Sequence, residues 1–199
     1  QAVSNGGVGH LLSIRSEGGQ YLPDWRTYTD YRKSVSAQAA LGGGVLFELS
    51  HEIEYVDRLS GGTVALFCTL RKSGLLDIDV EDIADIIMEG QDGVVAMLHM
   101  NMLQNTATRS CYVVGSEAIL HLDLIDGKLS KYMPTLQNLS REQEGVYDRN
   151  EMYRKQLAHF FDCVQGNSIP IISCERGARV LELVLAAKRS AEKGVRIVI

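Results

Sequence analysis

His51 stands between two carboxylates, Glu48 and Glu54, each three residues away. Residues three apart on a continuous helix share a face, so this spacing predicts a stripe of acid, imidazole and acid. An unperturbed imidazole titrates near about 6.5 and can give or take a proton at neutral pH. A carboxylate beside it can orient the ring. The glycine triplet 42–44 runs straight into this helix and would let backbone approach a ligand closely. The same residues have a plainer reading: a helix histidine kept for packing, and solvated negative charge favoured near a helix N-terminus. One histidine and two glutamates do not reproduce the HExxH zinc pattern, so no metal site is expected.

A dense aromatic loop lies just upstream. Tyr21, Trp25, Tyr28 and Tyr31 are interleaved with Arg26 and Arg32, and Gly18, Gly19, Pro23 and Asp24 mark the stretch as a loop. Aromatic faces and guanidinium forks suit a sugar or another polyhydroxylated substrate with an anionic group. The alternative is a loop pinned to the core by its rings. His99 and Asn101 share one face of an expected strand with Val95, Met97 and Leu103, a mixed surface that could join copies of the chain or merely be half exposed. His159, beside Phe160 and Phe161, is expected in the core.

These residues must be positioned by the elements around them. Apolar Leu46, Leu49, Ile53, Val56 and Leu59 recur at intervals of three and four, which predicts an amphipathic helix over 45–59, stopped by Ser60-Gly-Gly. A strand is predicted at 11–17 and a short helical turn at 36–41. Strands follow at 64–70, 83–88, 93–103, 110–114, 118–124 and 128–133. Asp92-Gly93 and Asp126-Gly127 are hairpin signals within this run. Residues 134–149 read as polar and irregular. Helices at 150–164 and 176–193 and a short strand at 195–199 close the chain. Such an order indicates an α+β fold, a large and mostly antiparallel sheet with helices packed on one face.

The chain has 199 residues, 45% hydrophobic and 23% charged, with a net charge of −5. That suffices for a sizeable core. Without a block of Lys or Arg, nucleic acid or an anionic membrane is not an expected partner. No apolar run is long enough for a transmembrane helix. Cys68, Cys111, Cys163 and Cys174 are spread out with no CxxC pair, which fits a reduced, cytoplasmic protein. The chain starts without Met on a Gly-rich segment, so residues 1–10 are expected to be a linker from a missing domain and 11–199 the domain itself.

Several stretches together resemble one family. They are Gly19-Gln-Tyr-Leu-Pro-Asp-Trp-Arg, Asp30-Tyr-Arg, Gly42-Gly-Gly-Val-Leu-Phe-Glu-Leu-Ser-His-Glu-Ile-Glu-Tyr, Asp79-Val-Glu-Asp-Ile-Ala-Asp-Ile-Ile, Arg109-Ser-Cys-Tyr-Val-Val-Gly and Leu181-Glu-Leu-Val-Leu-Ala-Ala-Lys-Arg-Ser. In order and spacing they are similar to the C-terminal domain of the Gfo/Idh/MocA oxidoreductases. The resemblance implies a fold like the C-terminal domain of glyceraldehyde-3-phosphate dehydrogenase. It also implies a preceding Rossmann domain that binds most of an NAD or NADP cofactor, and hydride transfer at a hydroxyl or carbonyl of a sugar, cyclitol or nucleotide-sugar. Such proteins commonly form homo-oligomers through the open sheet face. The first domain's Glu-Lys-Pro motif and dinucleotide fingerprint are missing here, so the chain alone is expected to be inactive.

The family helix has three glycines, three further residues, then Asp-x-Gly-x-His-x-x-Asp. Glu48 takes the place of the first Asp, Ser50 that of the Gly, and Glu54 that of the final Asp, but His51 comes one residue early. The resemblance assigns the catalytic role to His51. The aromatic loop beside this Gly-triplet helix places Tyr21, Trp25, Tyr31 and Arg32 in the expected pocket wall, with Glu48 and Glu54 as further substrate-binding residues. A shift of one residue would turn Glu48 by about 100°. The alternative function is a non-catalytic ligand-binding or oligomerisation module of the same fold.

Overall fold

The structure is a computed structural model that describes residues 7–133, 140–141 and 148–199. Nine strands are found among the described residues, in the order β8-β7-β6-β5-β1-β4-β3-β2-β9. They are β1 (Leu11–Gly19), β2 (Thr63–Arg71), β3 (Ile83–Gly90), β4 (Val95–Asn101), β5 (Thr108–Gly115), β6 (Ile119–Asp123), β7 (Lys128–Tyr132), β8 (Ser140–Arg141) and β9 (Ile197–Val198). Every neighbouring pair is antiparallel except β1 with β4. The first strand therefore sits at the centre, flanked by β4 and β5, and its end is where the candidate site forms.

Both hairpin signals are used as predicted. Asp92 is the one described non-glycine residue at positive φ, 58°, in the turn joining β3 to β4. Gly127, at φ 66°, serves the turn between β6 and β7. The expected irregular stretch 134–149 lies mostly outside the described residues, although Ser140–Arg141 pairs with β7. Val8, at the end of the expected linker, is fully buried, and its carbonyl accepts the N–H of Glu117 at 3.0 Å. That end is part of this fold.

The strands alternate as half-covered strands should. Ile14, Leu66, Ile86, Met88, Leu98, Met100, Cys111, Val113 and Leu120 point into the core. On the other face Phe67, Ile87, Val95, Met97, Ile119 and Tyr132 remain exposed. The core is closed by α2 (Ser50–Leu59), against β1 and β4, and by α4 (Cys174–Lys193), against β2 and α2. Helix α4 runs from its Ser173 cap to Gly194 in the left-handed conformation and buries Leu183, Val184, Ala186 and Ala187. Helix α3 (Arg149–Val164) begins at the Asp148 cap. The four thiols are free, with Cys68 and Cys111 buried.

The single helix expected over 45–59 is corrected by the structure. It is two pieces, α1 (Val45–Glu48) and α2, broken at Leu49, whose φ of −103° and ψ of 23° leave the helical region. The glycine triplet also has a different role from the expected one. Its N–H groups are all bonded within the chain, from Gly42 to Ala39, Gly43 to Gln38 and Gly44 to Ser36. A Cβ at Gly43 would stand 2.3 Å from the Val35 carbonyl, and one at Gly44 equally close to the Glu81 carboxylate. Gly43 and Gly44 thus permit close packing of the protein on itself, and the triplet has no free N–H group to offer a ligand.

Candidate functional site

A cleft of about 430 Å³ opens at the end of β1. Gly18, Gly19 and Gln20 form one edge, and Thr108 and Arg109 at the start of β5 form the next. The register explains the meeting: Gly18 lies opposite Arg109, and Gly19 opposite Thr108. Glu48, Leu49, His51 and Glu52 come from the α1–α2 break, Trp25 from the upstream loop, and Met152 and Tyr153 from α3.

Glu52 lies beneath the cleft, with its side chain only 1% exposed. Its Oε1 is 2.6 Å from Arg109 Nε and 3.1 Å from His51 Nε2. Its Oε2 accepts the Tyr55 hydroxyl at 2.5 Å, and the Ser16 hydroxyl, 3.4 Å from Oε2, donates to the Tyr55 oxygen at 2.5 Å. Burial alone would raise the Glu52 carboxyl, but the contacts from His51 and Tyr55 and the charge of Arg109 outweigh it and hold the group below its usual range. Glu52 is therefore ionised at neutral pH. Tyr55 is driven the other way, its phenol raised by burial and then by the Glu52 charge. Cys111 is pushed up to about 12 for the same two reasons, so the nearest thiol is not a nucleophile at neutral pH.

The exposed parts of this cluster face the cleft. The His51 side chain is half exposed. Arg109 is 38% exposed, and the Glu52 pair uses its Nε, leaving the terminal Nη groups without a partner among the described residues. The cleft thus offers an imidazole and guanidinium donors, backed by a buried anion, beside the Trp25 ring. That set can exchange a proton with a bound hydroxyl and take hydrogen-bond acceptors from a polar ligand.

Of the residues singled out in the sequence, the structure brings His51, Glu48 and Trp25 together. Trp25 is held by a bond from its Nε1 to the Gln20 carbonyl at 3.2 Å. The others go elsewhere. Tyr21 and Tyr31 pack on the core, and the Tyr31 hydroxyl accepts the Asp77 N–H at 3.2 Å. Arg32 makes two 2.9 Å bonds to Asp30 on the surface. Glu54 turns to α4, where Arg176 Nε holds it at 3.1 Å. Away from the cleft, His99 lies on the open sheet face, 2.7 Å from Asp85. His159, half buried, accepts the Ile171 N–H. Among the described residues no group of three or more His, Cys, Asp or Glu could hold a metal ion, and no helix is long and apolar enough to cross a membrane.

Glu52 and Arg109 were not among the expected residues. Glu52 did leave a signal: it falls three residues after Leu49 and four before Val56, on the apolar stripe, where a carboxylate must find partners. Arg109 left none, because it reaches Glu52 across 57 positions only through the pairing of β1 with β5.

Comparison with known proteins places this geometry. A family model described as the GFO/IDH/MocA C-terminal domain matches residues 1–121. No curated protein matches the sequence. Among solved structures, aldose-aldose oxidoreductase from Caulobacter crescentus, complexed with glycerol, superposes with a TM-score of 0.83 at 18% identity, covering 100% of this chain and 58% of that one. Levoglucosan dehydrogenase in complex with NADH gives 0.86 at 16%, covering 100% and 61%. GenD2 from gentamicin A biosynthesis, in complex with NAD, gives 0.77 at 24%, covering 99% and 58%. At these identities the likeness is one of fold, and the chain spans about three fifths of the length of those proteins. With its sheet, its helices and the matched model in agreement, the chain belongs to the GFO/IDH/MocA oxidoreductase family, as a C-terminal domain of that family.

Proposed function

We propose that this chain is the substrate-binding domain of an NAD(P)-dependent oxidoreductase acting on a hydroxyl or carbonyl of a sugar, a cyclitol or a nucleotide-sugar. The observation that carries the reading is the half-exposed imidazole of His51, set against the buried Glu52 carboxylate in a cleft walled by Trp25 and Arg109. The NADH and NAD complexes and the sugar-named enzymes among the structural relatives support the class.

The dinucleotide itself does not fit this chain. Among the described residues there is no strand, Gly-x-Gly-x-x-Gly turn and helix to hold a pyrophosphate, and the N–H groups of the glycine triplet are already bonded. The proposal therefore assigns NAD or NADP to a preceding Rossmann domain, with the chain alone inactive. In the proposal His51 exchanges the proton of the substrate oxygen, Arg109 and Glu48 engage neighbouring polar groups, and Trp25 lies against the apolar face of the ring. Replacing His51 by Ala in the full-length protein should lower hydride transfer at saturating substrate by about 100-fold or more. An unchanged rate would overturn the role of His51.

The open sheet face has a second part in the proposal. Phe67, Ile87, Met97 and Ile119 are exposed there, next to a stack of Arg15, Tyr112 and His121 whose two rings are 4.1 Å apart and nearly parallel. Such a patch suits an interface with a second copy. In that reading Met97→Glu reduces the mass measured by equilibrium sedimentation to that of a monomer. A wild-type chain that sediments as a monomer at high concentration contradicts it.

A further inference from the structure

We infer that Glu52 is a positioning residue that holds the proton of neutral His51 on Nε2, so that Nδ1 is the ring nitrogen offered to the substrate. The inference rests on the reading of His51 as the proton-transfer group, and it adds which atom acts and what selects it.

The argument begins with the 3.1 Å separation of His51 Nε2 and Glu52 Oε1. Arg109 Nε lies 2.6 Å from the same oxygen, which favours the ionised carboxylate, and that form has lone pairs and no proton. If Nε2 also presented a lone pair, two acceptors would face each other 3.1 Å apart on a carboxylate that is itself buried, an arrangement that repels and satisfies neither group. The proton therefore belongs on Nε2. A neutral imidazole carries one N–H, so Nδ1 is left as the acceptor.

Glu52 cannot turn away to relieve the contact. Arg109 on β5 and Tyr55 one turn further along α2 bond its oxygens, and Ser16 on β1 braces the Tyr55 hydroxyl. These three residues come from three different elements, so the carboxylate is fixed by the fold and not by the ligand. The rest of the set serves the same end. When Nδ1 takes the proton of a substrate hydroxyl, the O–H bond breaks, an N–H bond forms and the ring becomes an imidazolium. Its new charge then lies against the buried anion. In the reverse direction the imidazolium returns the Nδ1 proton to the substrate oxygen and keeps the one on Nε2.

The test reads the ring directly. Long-range ¹H–¹⁵N correlation spectra of the 199-residue chain, taken with the ring neutral, should show for His51 a protonated nitrogen at Nε2 and an unprotonated one at Nδ1. In Glu52→Gln both shifts should move toward the average of two tautomers. In the full-length protein the same substitution should lower kcat by about tenfold to hundredfold with KM nearly unchanged. A wild-type ring with its proton on Nδ1 overturns the inference without any variant having to fold. So does a Glu52→Gln protein that keeps both the wild-type tautomer and kcat. If Glu52→Gln loses the tautomer but not kcat while His51→Ala abolishes hydride transfer, the positioning role falls and the proposed function stands. If His51→Ala leaves the rate unchanged, both fall.

Discussion

Helix α2 buries two carboxylates five positions apart, Glu52 and Asp57, and the same chemistry is put to opposite uses. Both side chains are 1% exposed, and both meet an arginine at 2.6 Å. At Asp57 every remaining direction is closed. Its Oδ1 accepts the Thr63 N–H at 2.7 Å, Arg179 lies 3.8 Å away, and Arg176 also binds the Glu54 carboxylate and the Glu54 carbonyl. The result ties α2, α4 and the start of β2 together. At Glu52 one direction is left open, and a half-exposed histidine occupies it. A buried anion is thus a staple when its partners are all arginine and backbone, and a candidate catalytic support when one partner is a half-exposed imidazole facing a cleft.

The largest effect expected from this contrast is on stability at Asp57. Removing one member of a buried pair leaves the other charged and unpaired, at about 3–5 kcal/mol. Arg176 and Arg179 are 22% and 29% exposed, so some of that loss is recovered from solvent. Asp57→Ala should therefore cost about 3 kcal/mol in urea unfolding, while the His51 signals in the NMR spectrum stay where they are. A loss below about 1 kcal/mol would mean that the cluster around Asp57 is not the staple described here.

Much of this fold was legible in the residues, and the contrast between the two clusters shows where legibility stops. Period-two alternation located most of the strands, and two Asp-Gly turns paired β3 with β4 and β6 with β7. Those signals are local. The placing of β1 between β4 and β5 is not, since no property of 11–19 names its neighbours, and it is this placing that delivers Arg109 to Glu52. The break at Leu49 also had no Gly or Pro to announce it, so Glu48, His51 and Glu54 were expected on one stripe. In the structure Glu48 and His51 share the cleft, while Glu54 joins the other cluster through Arg176. The aromatic loop misled in a different way. Tyr31 and Arg32 are of types that bind sugars, yet the short 3₁₀ turn Tyr31–Lys33 bonds them to Asp77 and Asp30. Residue type limits what a side chain can do, whereas contact across the sheet decides which of those things it does.

The smaller and more discriminating effect concerns pH. Glu52 titrates below its unfolded value of 4.5 in the folded chain, because its contacts to His51, Tyr55 and Arg109 outweigh the cost of burial. A group depressed in this way stabilises the fold above the unfolded value, and that stabilisation fades as pH falls through the folded one. Glu52→Gln keeps the shape and one acceptor but removes the charge, so near neutral pH it should be less stable than the wild type by about 1.5–3 kcal/mol, the scale of hydrogen bonds to a charged group. The difference between the two proteins should shrink as the pH is lowered below 4.5, since the carboxyl of the unfolded wild-type chain then takes up a proton first and the folded one follows at lower pH. Unfolding midpoints of both proteins, measured at neutral pH and in acid, test this. A gap that stays constant across that range would mean that Glu52 contributes by shape alone, and the charged support under His51 would then have no energetic signature to distinguish it from ordinary packing.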